Sequence, residues 1–213
     1  MKLCIIPTYS ICRTDGDFLR LARSLPFGEC EYDRLISIKN KDLATQSLCA
    51  RLALMRLCGD DDHGEIVRNE FGKPYFSSSI APRFSLSHTN GLSIAAISEE
   101  CEVGVDVETI REYGFDGIAK RFFTPDERLY LEEKGNSADA FFAVWTKKEA
   151  VAKLDGRGLS AIIATEKSPS AHTKHFEINF NNSRAILCVA SSKEIGQIEI
   201  ARSKEFDIYE LQN

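Results

Sequence analysis

Four side chains in the second half of this 213-residue chain have the types and spacing to hold a metal–phosphate complex. The run Val103-Gly104-Val105-Asp106-Val107-Glu108 sets two carboxylates two residues apart in an apolar stretch. On a strand, residues i and i+2 share a face, so Asp106 and Glu108 converge while Val105 and Val107 pack behind them. Like charges one pleat apart repel, and a cation between them relieves that repulsion; the alternative is a solvated strand end, since the polar Thr109 follows. In Phe142-Ala143-Val144-Trp145-Thr146-Lys147-Lys148-Glu149-Ala150-Val151-Ala152-Lys153, the residues Trp145, Glu149 and Lys153 recur at i, i+4 spacing and form one row along a helix. Three acids and an ammonium are what a hard cation bound to a phosphate ester requires. The competing reading of the helix is a surface Glu–Lys pair, worth roughly 0.3 kcal/mol, beside a core tryptophan.

Further upstream, Gly72-Lys73-Pro74 is a turn presenting a lysine with little backbone freedom, and Ser85-Leu86-Ser87-His88 ends a strand with hydroxyls and an imidazole able to donate to phosphate oxygens. Lys39, Lys41 and Arg51 sit near or within the first long helix and read either as a further phosphate contact or as a solvated face. Glu127 occupies the third position of a capping box begun by Thr124.

The elements that must position these groups are legible in outline. Residues 2 to 6 read as a strand ended by Pro7, Asp17 to Leu25 as a short helix closed by Pro26 and Gly28, and Leu43 to Cys58 as a long helix stopped by Gly59. Strand runs follow at Glu65 to Arg68, Pro74 to Phe76, Phe84 to Ser87, Leu92 to Ile97 and Glu102 to Val107, with a hairpin at Thr89-Asn90-Gly91. Thr124-Pro125-Asp126-Glu127 opens a helix running to about Lys134, and a second spans about Ala138 to Leu154 before Gly156. Strand periodicity returns at His175 to Phe180, Ala185 to Ala190 and Phe206 to Leu211. A strand–helix–strand plan in each half predicts an α+β fold of two lobes, residues 1–100 and 101–213, meeting near residue 100.

Composition bounds the partners. With 43% apolar and 28% charged residues the chain reads as an ordinary soluble globular protein. The net charge of −5 argues against a broad nucleic-acid surface and leaves room for a local basic pocket. Seven cysteines, none in a C-x-x-C pair, argue against a zinc site or a disulfide framework and for a reducing cytoplasm. Met1-Lys2-Leu3-Cys4-Ile5-Ile6-Pro7 is too short an apolar run for a signal peptide, and no segment reaches membrane-spanning length.

Taken in order, Gly72-Lys73-Pro74, Ser87-His88, Gly104-Val105-Asp106-Val107-Glu108, Arg121-Phe122-Phe123 and Trp145-Thr146-Lys147-Lys148-Glu149-Ala150 with Lys153 resemble the 4′-phosphopantetheinyl transferases. The likeness is to the long, monomeric, two-lobed kind that activates carrier proteins of peptide and polyketide synthases, and it runs from about Lys39 to Leu159. The resemblance implies two similar lobes related by a pseudo-twofold, with the site at their interface. The implied reaction transfers the phosphopantetheine arm of coenzyme A to a serine of an apo carrier protein and releases adenosine 3′,5′-bisphosphate. Asp106, Glu108 and Glu149 would bind magnesium, and Lys153 would lie near the pyrophosphate. Lys73 and Pro74 of the turn, with Ser87 and His88, would hold coenzyme A. Glu149 is the first candidate for the base that takes the serine proton and Glu127 the second.

At the start of the first long helix the chain departs from the family pattern: it reads Lys39-Asn40-Lys41-Asp42 where the resemblance implies an arginine for the 3′-phosphate, so Lys39 and Lys41 are the candidates there. Carrier domains are acidic around their serine, which points to Arg111, Lys120 and Arg121 as docking residues. A protein of the same fold that binds carrier proteins or coenzyme A without chemistry is the alternative; it is disfavoured because all three acids and Lys153 are present. A carboxylate-metal nuclease lacks the clustered basic residues it would need.

Overall fold

The structure, a computed structural model, describes residues 1–9, 11–12, 14–112, 114–164 and 170–211. Strand β1 (Lys2–Pro7) alternates Leu3 and Ile5 against Cys4 and Ile6, and all four are buried. Helix α1 (Asp15–Arg23) starts slightly before the expected Asp17 because Thr14 and Asp17 cap each other reciprocally at 3.1 Å. Helix α2 (Glu29–Ile36) was not announced by hydrophobic spacing. The side chains it buries are Leu35 and the carboxylate of Glu31, so an acid occupies a position where periodicity would call for an apolar residue.

Helix α3 (Lys41–Cys58) is capped by the Asn40 side chain and ends at Gly59, whose φ of 64° lies in the left-handed region. Strands β2 (Ile66–Arg68) and β3 (Pro74–Phe76) form a small ribbon. Strands β4 (Arg83–Thr89) and β5 (Leu92–Ser98) form the expected hairpin, with Thr89 opposite Leu92 across the Asn90-Gly91 turn.

The second half repeats this plan. Strand β6 (Val103–Thr109) is followed by helices α4 (Asp116–Phe122), α5 (Pro125–Glu133) and α6 (Ala138–Asp155), a short α7 (Leu159–Ala164), and strands β7 (His172–Phe180), β8 (Ser183–Ser191), β9 (Glu199–Arg202) and β10 (Asp207–Leu211). One sheet has the order β4-β5-β1-β9 and the other β10-β7-β8-β6. Within them β4-β5-β1 and β7-β8-β6 are equivalent antiparallel trios, in which the last strand in sequence lies between the other two. The α+β architecture of two related lobes is therefore observed. Short β9 was not foreseen; it pairs in parallel with β1, so the first sheet draws one strand from beyond residue 100.

Each sheet is covered on one face by its own long helix. Cys49, Ala53 and Leu54 of α3 pack on Cys4, Ile6, Ala95 and Ile97, while Ala150, Val151 and Leu154 of α6 pack on Cys188 and Ala190. The opposite faces share one core, with Leu3, Ile5, Leu92 and Ile94 against Val105, Val107, Ile178, Leu187 and Val189. Gly104 is where α6 presses on β6: a Cβ there would overlap Ala150 O and lie 2.6 Å from Leu154 N. No helix among the described residues is long and apolar enough to cross a membrane.

Candidate active site

The edges of the two sheets, β4 and β6, meet beside α3 and α6 and line an open cavity of about 390 Å³. Its lining includes Ser87 and His88 from β4, Asp106 and Glu108 from β6, Trp145, Glu149 and Lys153 from α6, Pro74, and Arg34 and Arg51 from α2 and α3. The row expected on α6 therefore does face the strand acids. An adjoining depression of about 220 Å³, lined by Phe71, Pro74, Phe84, Leu86, Ala152 and Leu159, shares Glu149 and Lys153 with it.

Asp106 is 6% exposed. Its Oδ1 accepts from Lys153 Nζ at 2.7 Å and from the Ser87 hydroxyl at 2.8 Å, while Oδ2 is buried with no hydrogen-bond partner. An unsatisfied carboxylate oxygen in a buried site is costly unless something outside the chain completes it. Burial, then the neighbouring Asp106 charge, holds the carboxyls of Glu108 and Glu149 above the usual carboxylate range. Oxygen donors, an orphan oxygen and mutual repulsion fit a hard divalent cation that keeps several waters. Among the described residues no three carboxylate, imidazole or thiol groups already converge on one point. Lys153 holds Asp106 Oδ1, and Arg111 stands 3.5 Å from Glu108.

Ser87 has one proton and two lone pairs, and all three are used. It donates to Asp106 Oδ1 and accepts from Lys153 Nζ at 3.0 Å and from Val107 N at 3.2 Å. In this arrangement it orients the acid and the ammonium and has no donor left over. His88 is similarly engaged. Gln46 Oε1 faces its Nδ1 at 3.2 Å and can only accept, so Nδ1 carries the proton and Nε2 accepts from Ser47 at 3.4 Å. Burial, with the positive charges of Lys153 and Arg51, pushes the imidazole down to about 4, so His88 is neutral at pH 7.

Lys73 lies at the seam between the lobes. Its ammonium donates to Glu102 Oε2 at 2.7 Å and to Leu154 O, near the end of α6, at 2.8 Å. Asn69 supports the same turn: its Oδ1 accepts from the backbone of Phe71 and Lys73 while its amide donates to Gly156 O at 3.1 Å.

Three expected residues lie elsewhere. Lys39 and Lys41 line a separate depression with Asp15 and Asp42, and Lys41 is paired with Asp15 at 2.8 Å on an exposed surface. Glu127 caps α5 by accepting from Thr124 N at 2.7 Å and is paired with Lys148 at 2.8 Å; it borders another groove, away from Asp106. Lys120 and Arg121 are exposed on α4.

The basic residues beside the acids come instead from α2 and α3. Arg51 is buried rather than solvated, and its guanidinium bonds Glu31 at 2.7 Å and Ser47 O at 3.0 Å. Arg68 reaches the same Glu31 at 2.9 Å. Arg34 Nε donates to Glu31 Oε1 at 3.1 Å, and its Nη2 lies 3.1 Å from the same oxygen without an aligned hydrogen bond of its own. Burial pushes the Glu31 carboxyl up, but Arg51, Arg34 and Arg68 together outweigh this and hold it below its ordinary value. Three guanidiniums around one carboxylate leave net positive charge, and two of them, Arg34 and Arg51, line the cavity. The signal for Arg51 was its i+3 spacing from Leu48, a charge on an apolar stripe; α2 gave no comparable signal.

Residues 102–202 match the family model of the 4′-phosphopantetheinyl transferase superfamily. The chain is 36% identical over 94 residues to 4′-phosphopantetheinyl transferase gsp of Aneurinibacillus migulanus, covering 43% of this chain and 38% of that protein. It is 34% identical over 111 residues to 4′-phosphopantetheinyl transferase AcpT of Salmonella typhi, covering 50% and 58%. A further relative is 4′-phosphopantetheinyl transferase Sfp of Bacillus subtilis, 33% identical over 93 residues, covering 43% and 41%. The chain thus spans about two fifths to three fifths of the length of these curated relatives.

Proposed function

We propose, from the match of residues 102–202 to the family model of the 4′-phosphopantetheinyl transferase superfamily, that this protein moves the phosphopantetheine arm of coenzyme A onto a serine of an apo carrier protein. The observation that carries the reading is the unpartnered Oδ2 of Asp106, buried between Glu108, Glu149 and Lys153 in the cavity between the sheet edges.

Asp106, Glu108 and Glu149 would hold magnesium, which when bound offsets negative charge on the pyrophosphate and on the departing bisphosphate. The pyrophosphate would lie against the ammonium of Lys153, where negative charge accumulates as the leaving group departs. Arg34 and Arg51, which line the cavity, offer positive charge for the nucleotide end, in place of Lys39 and Lys41, which line a separate depression. Neutral His88 stands beside them, and an arriving phosphate would draw a proton onto its ring. The apolar depression of Phe71, Phe84 and Leu86 suits the pantetheine arm.

In the transfer, the serine oxygen of the carrier forms a bond to the phosphorus bearing the pantetheine arm, and the bond from that phosphorus to the bridging oxygen breaks. Adenosine 3′,5′-bisphosphate leaves with the bond's electrons, and the serine proton goes to Glu149. Glu149 is favoured over Glu127 because it lines the cavity with Asp106, whereas Glu127 caps α5 and is paired with Lys148. Ser87 would act by holding Asp106 and Lys153, and Lys73 by fastening the Gly72-Lys73-Pro74 turn to the end of α6.

The carrier would meet exposed basic residues such as Lys120 and Arg121. On this reading the protein works in a reducing cytoplasm, because none of its seven cysteines falls in a C-x-x-C pair, and as a monomer, because both lobes of one chain line the cavity. Incubation with coenzyme A, magnesium and a panel of apo carrier proteins, followed by intact-mass spectrometry, tests the reading. Addition of phosphopantetheine to at least one carrier is expected, and no addition to any would overturn it.

A further inference from the structure

The two sheets meet edge to edge at β4 and β6 without pairing as strands. Backbone N–H groups of Val105, Val107 and Thr109 point away from β8, toward β4, where a continuous sheet would supply carbonyls. They find hydroxyls instead: Val105 N donates to Ser85 Oγ at 3.0 Å, Val107 N to Ser87 Oγ at 3.2 Å, and Thr109 N to Thr89 Oγ1 at 3.1 Å. Each hydroxyl lies 20 residues before the amide it accepts from, so the two strands run the same way in strict register.

Alternation along β4 makes this possible. Ser85, Ser87 and Thr89 share one face and are 4%, 5% and 6% exposed. Phe84, Leu86 and His88 take the other face, where Phe84 and Leu86 join the core under α3 and His88 meets Gln46 and Ser47. A last bond closes the far end. Thr109 Oγ1 donates to Asn90 O at 3.0 Å, so its bond with Thr89 Oγ1, at 3.2 Å, takes its proton from Thr89.

We infer that Ser85, Ser87 and Thr89 form a hydroxyl ladder that replaces strand pairing between the lobes and sets the register of β6, and that Ser85 and Thr89 are positioning residues for the reaction proposed above. Direct pairing would draw the two backbones to about 4.8 Å. A hydroxyl stands off its own backbone, so the edges are joined while room remains beside them for the cavity. The middle rung is shared with the site, because Ser87 Oγ touches both Asp106 and Lys153. The outer rungs prevent a slip of one residue, which would turn Asp106 and Glu108 to the other face of β6.

The inference rests on the transferase reading for its kinetic arm only. Thr89→Val is nearly isosteric and removes the acceptor for Thr109 N; Thr89→Ser retains it. Amide hydrogen exchange by NMR should quicken at Thr109 by about tenfold or more in Thr89→Val and stay unchanged in Thr89→Ser. In the transfer assay Thr89→Val should lower kcat about tenfold with little change in the KM for coenzyme A, because it releases β6 while Arg34 and Arg51 are held by α2 and α3. Thr89→Ser should restore kcat. Ser85→Ala, read at Val105 N, repeats the measurement if Thr89→Val does not fold.

Unchanged exchange and unchanged kcat in both Thr89→Val and Ser85→Ala would overturn the inference, as would equal losses in Thr89→Val and Thr89→Ser. A wild-type protein that modifies no carrier would overturn the transferase reading instead, and the exchange measurement would still decide the ladder.

Discussion

Lys153 Nζ lies 2.7 Å from Oδ1 of Asp106, while the other oxygen of that carboxylate is buried with no partner. The strand acid and the helix base are 47 residues apart in sequence. Their contact ties β6 to α6 at the cavity, and the unpartnered oxygen marks where a further positive charge would bind.

Asp106→Asn keeps the shape and removes the charge. Transfer should fall by about a hundredfold or more while circular dichroism stays native. EDTA should abolish wild-type activity and magnesium should restore it; full activity of Asp106→Asn at saturating magnesium would remove Asp106 from the metal site.

Glu149, as base, must be ionised to act, and burial beside Asp106 raises its pKa above the ordinary 4.5. Magnesium at the same acids would offset that rise, so rate should be lost on an acid limb that moves to lower pH as magnesium is raised toward saturation. Glu149→Gln should lower kcat by about a hundredfold or more and erase that limb. A Glu149→Gln enzyme that keeps the same limb would assign the proton to another group.

His88 titrates at about 4 in the folded protein against 6.5 ordinarily, so the unfolded chain binds more protons between those values. Its contribution to stability is present above pH 6.5 and is lost as pH falls toward 4. In urea unfolding, His88→Gln should reduce the drop in stability across that window by on the order of 3 kcal/mol. Parallel curves for the two proteins would mean that His88 is not held neutral by burial.

Lys73→Met keeps the stem and removes the ammonium. Glu102 retains Arg83 at 3.0 Å, but Leu154 O loses its charged donor. Stability to urea should fall by about 1–2 kcal/mol, and the KM for coenzyme A should rise more than kcat falls. An equal loss in kcat and kcat/KM would instead give Lys73 a role in the transition state.

Gly104→Ala should destabilise the fold by at least about 2 kcal/mol, because the obstructing atoms belong to the backbone of α6 and cannot swing aside. Thermal unfolding checks this. Any folded fraction should show reduced transfer, since β6 carries Asp106 and the turn of α6 that would have to move bears Glu149 and Lys153.

Much of this protein is legible in its sequence, because periodicity reports which face a side chain takes within its own element. Alternation in β6 announces the face of Asp106 and Glu108, the i, i+4 spacing on α6 announces the row of Trp145, Glu149 and Lys153, and Thr124 with Glu127 announces the start of α5. Partners drawn from distant segments are another matter, because they depend on how the elements pack. Only the fold directs Ser85, Ser87 and Thr89 at the backbone of β6 rather than at a ligand, fastens Lys73 to the end of α6, and leaves Lys39, Lys41 and Glu127 away from the acids. Arg51 reads as solvated until α2 is seen to bury Glu31 against it, and α2 itself is hidden because its core position holds a carboxylate whose burial the distant Arg51 and Arg68, with Arg34 one turn along, make tolerable.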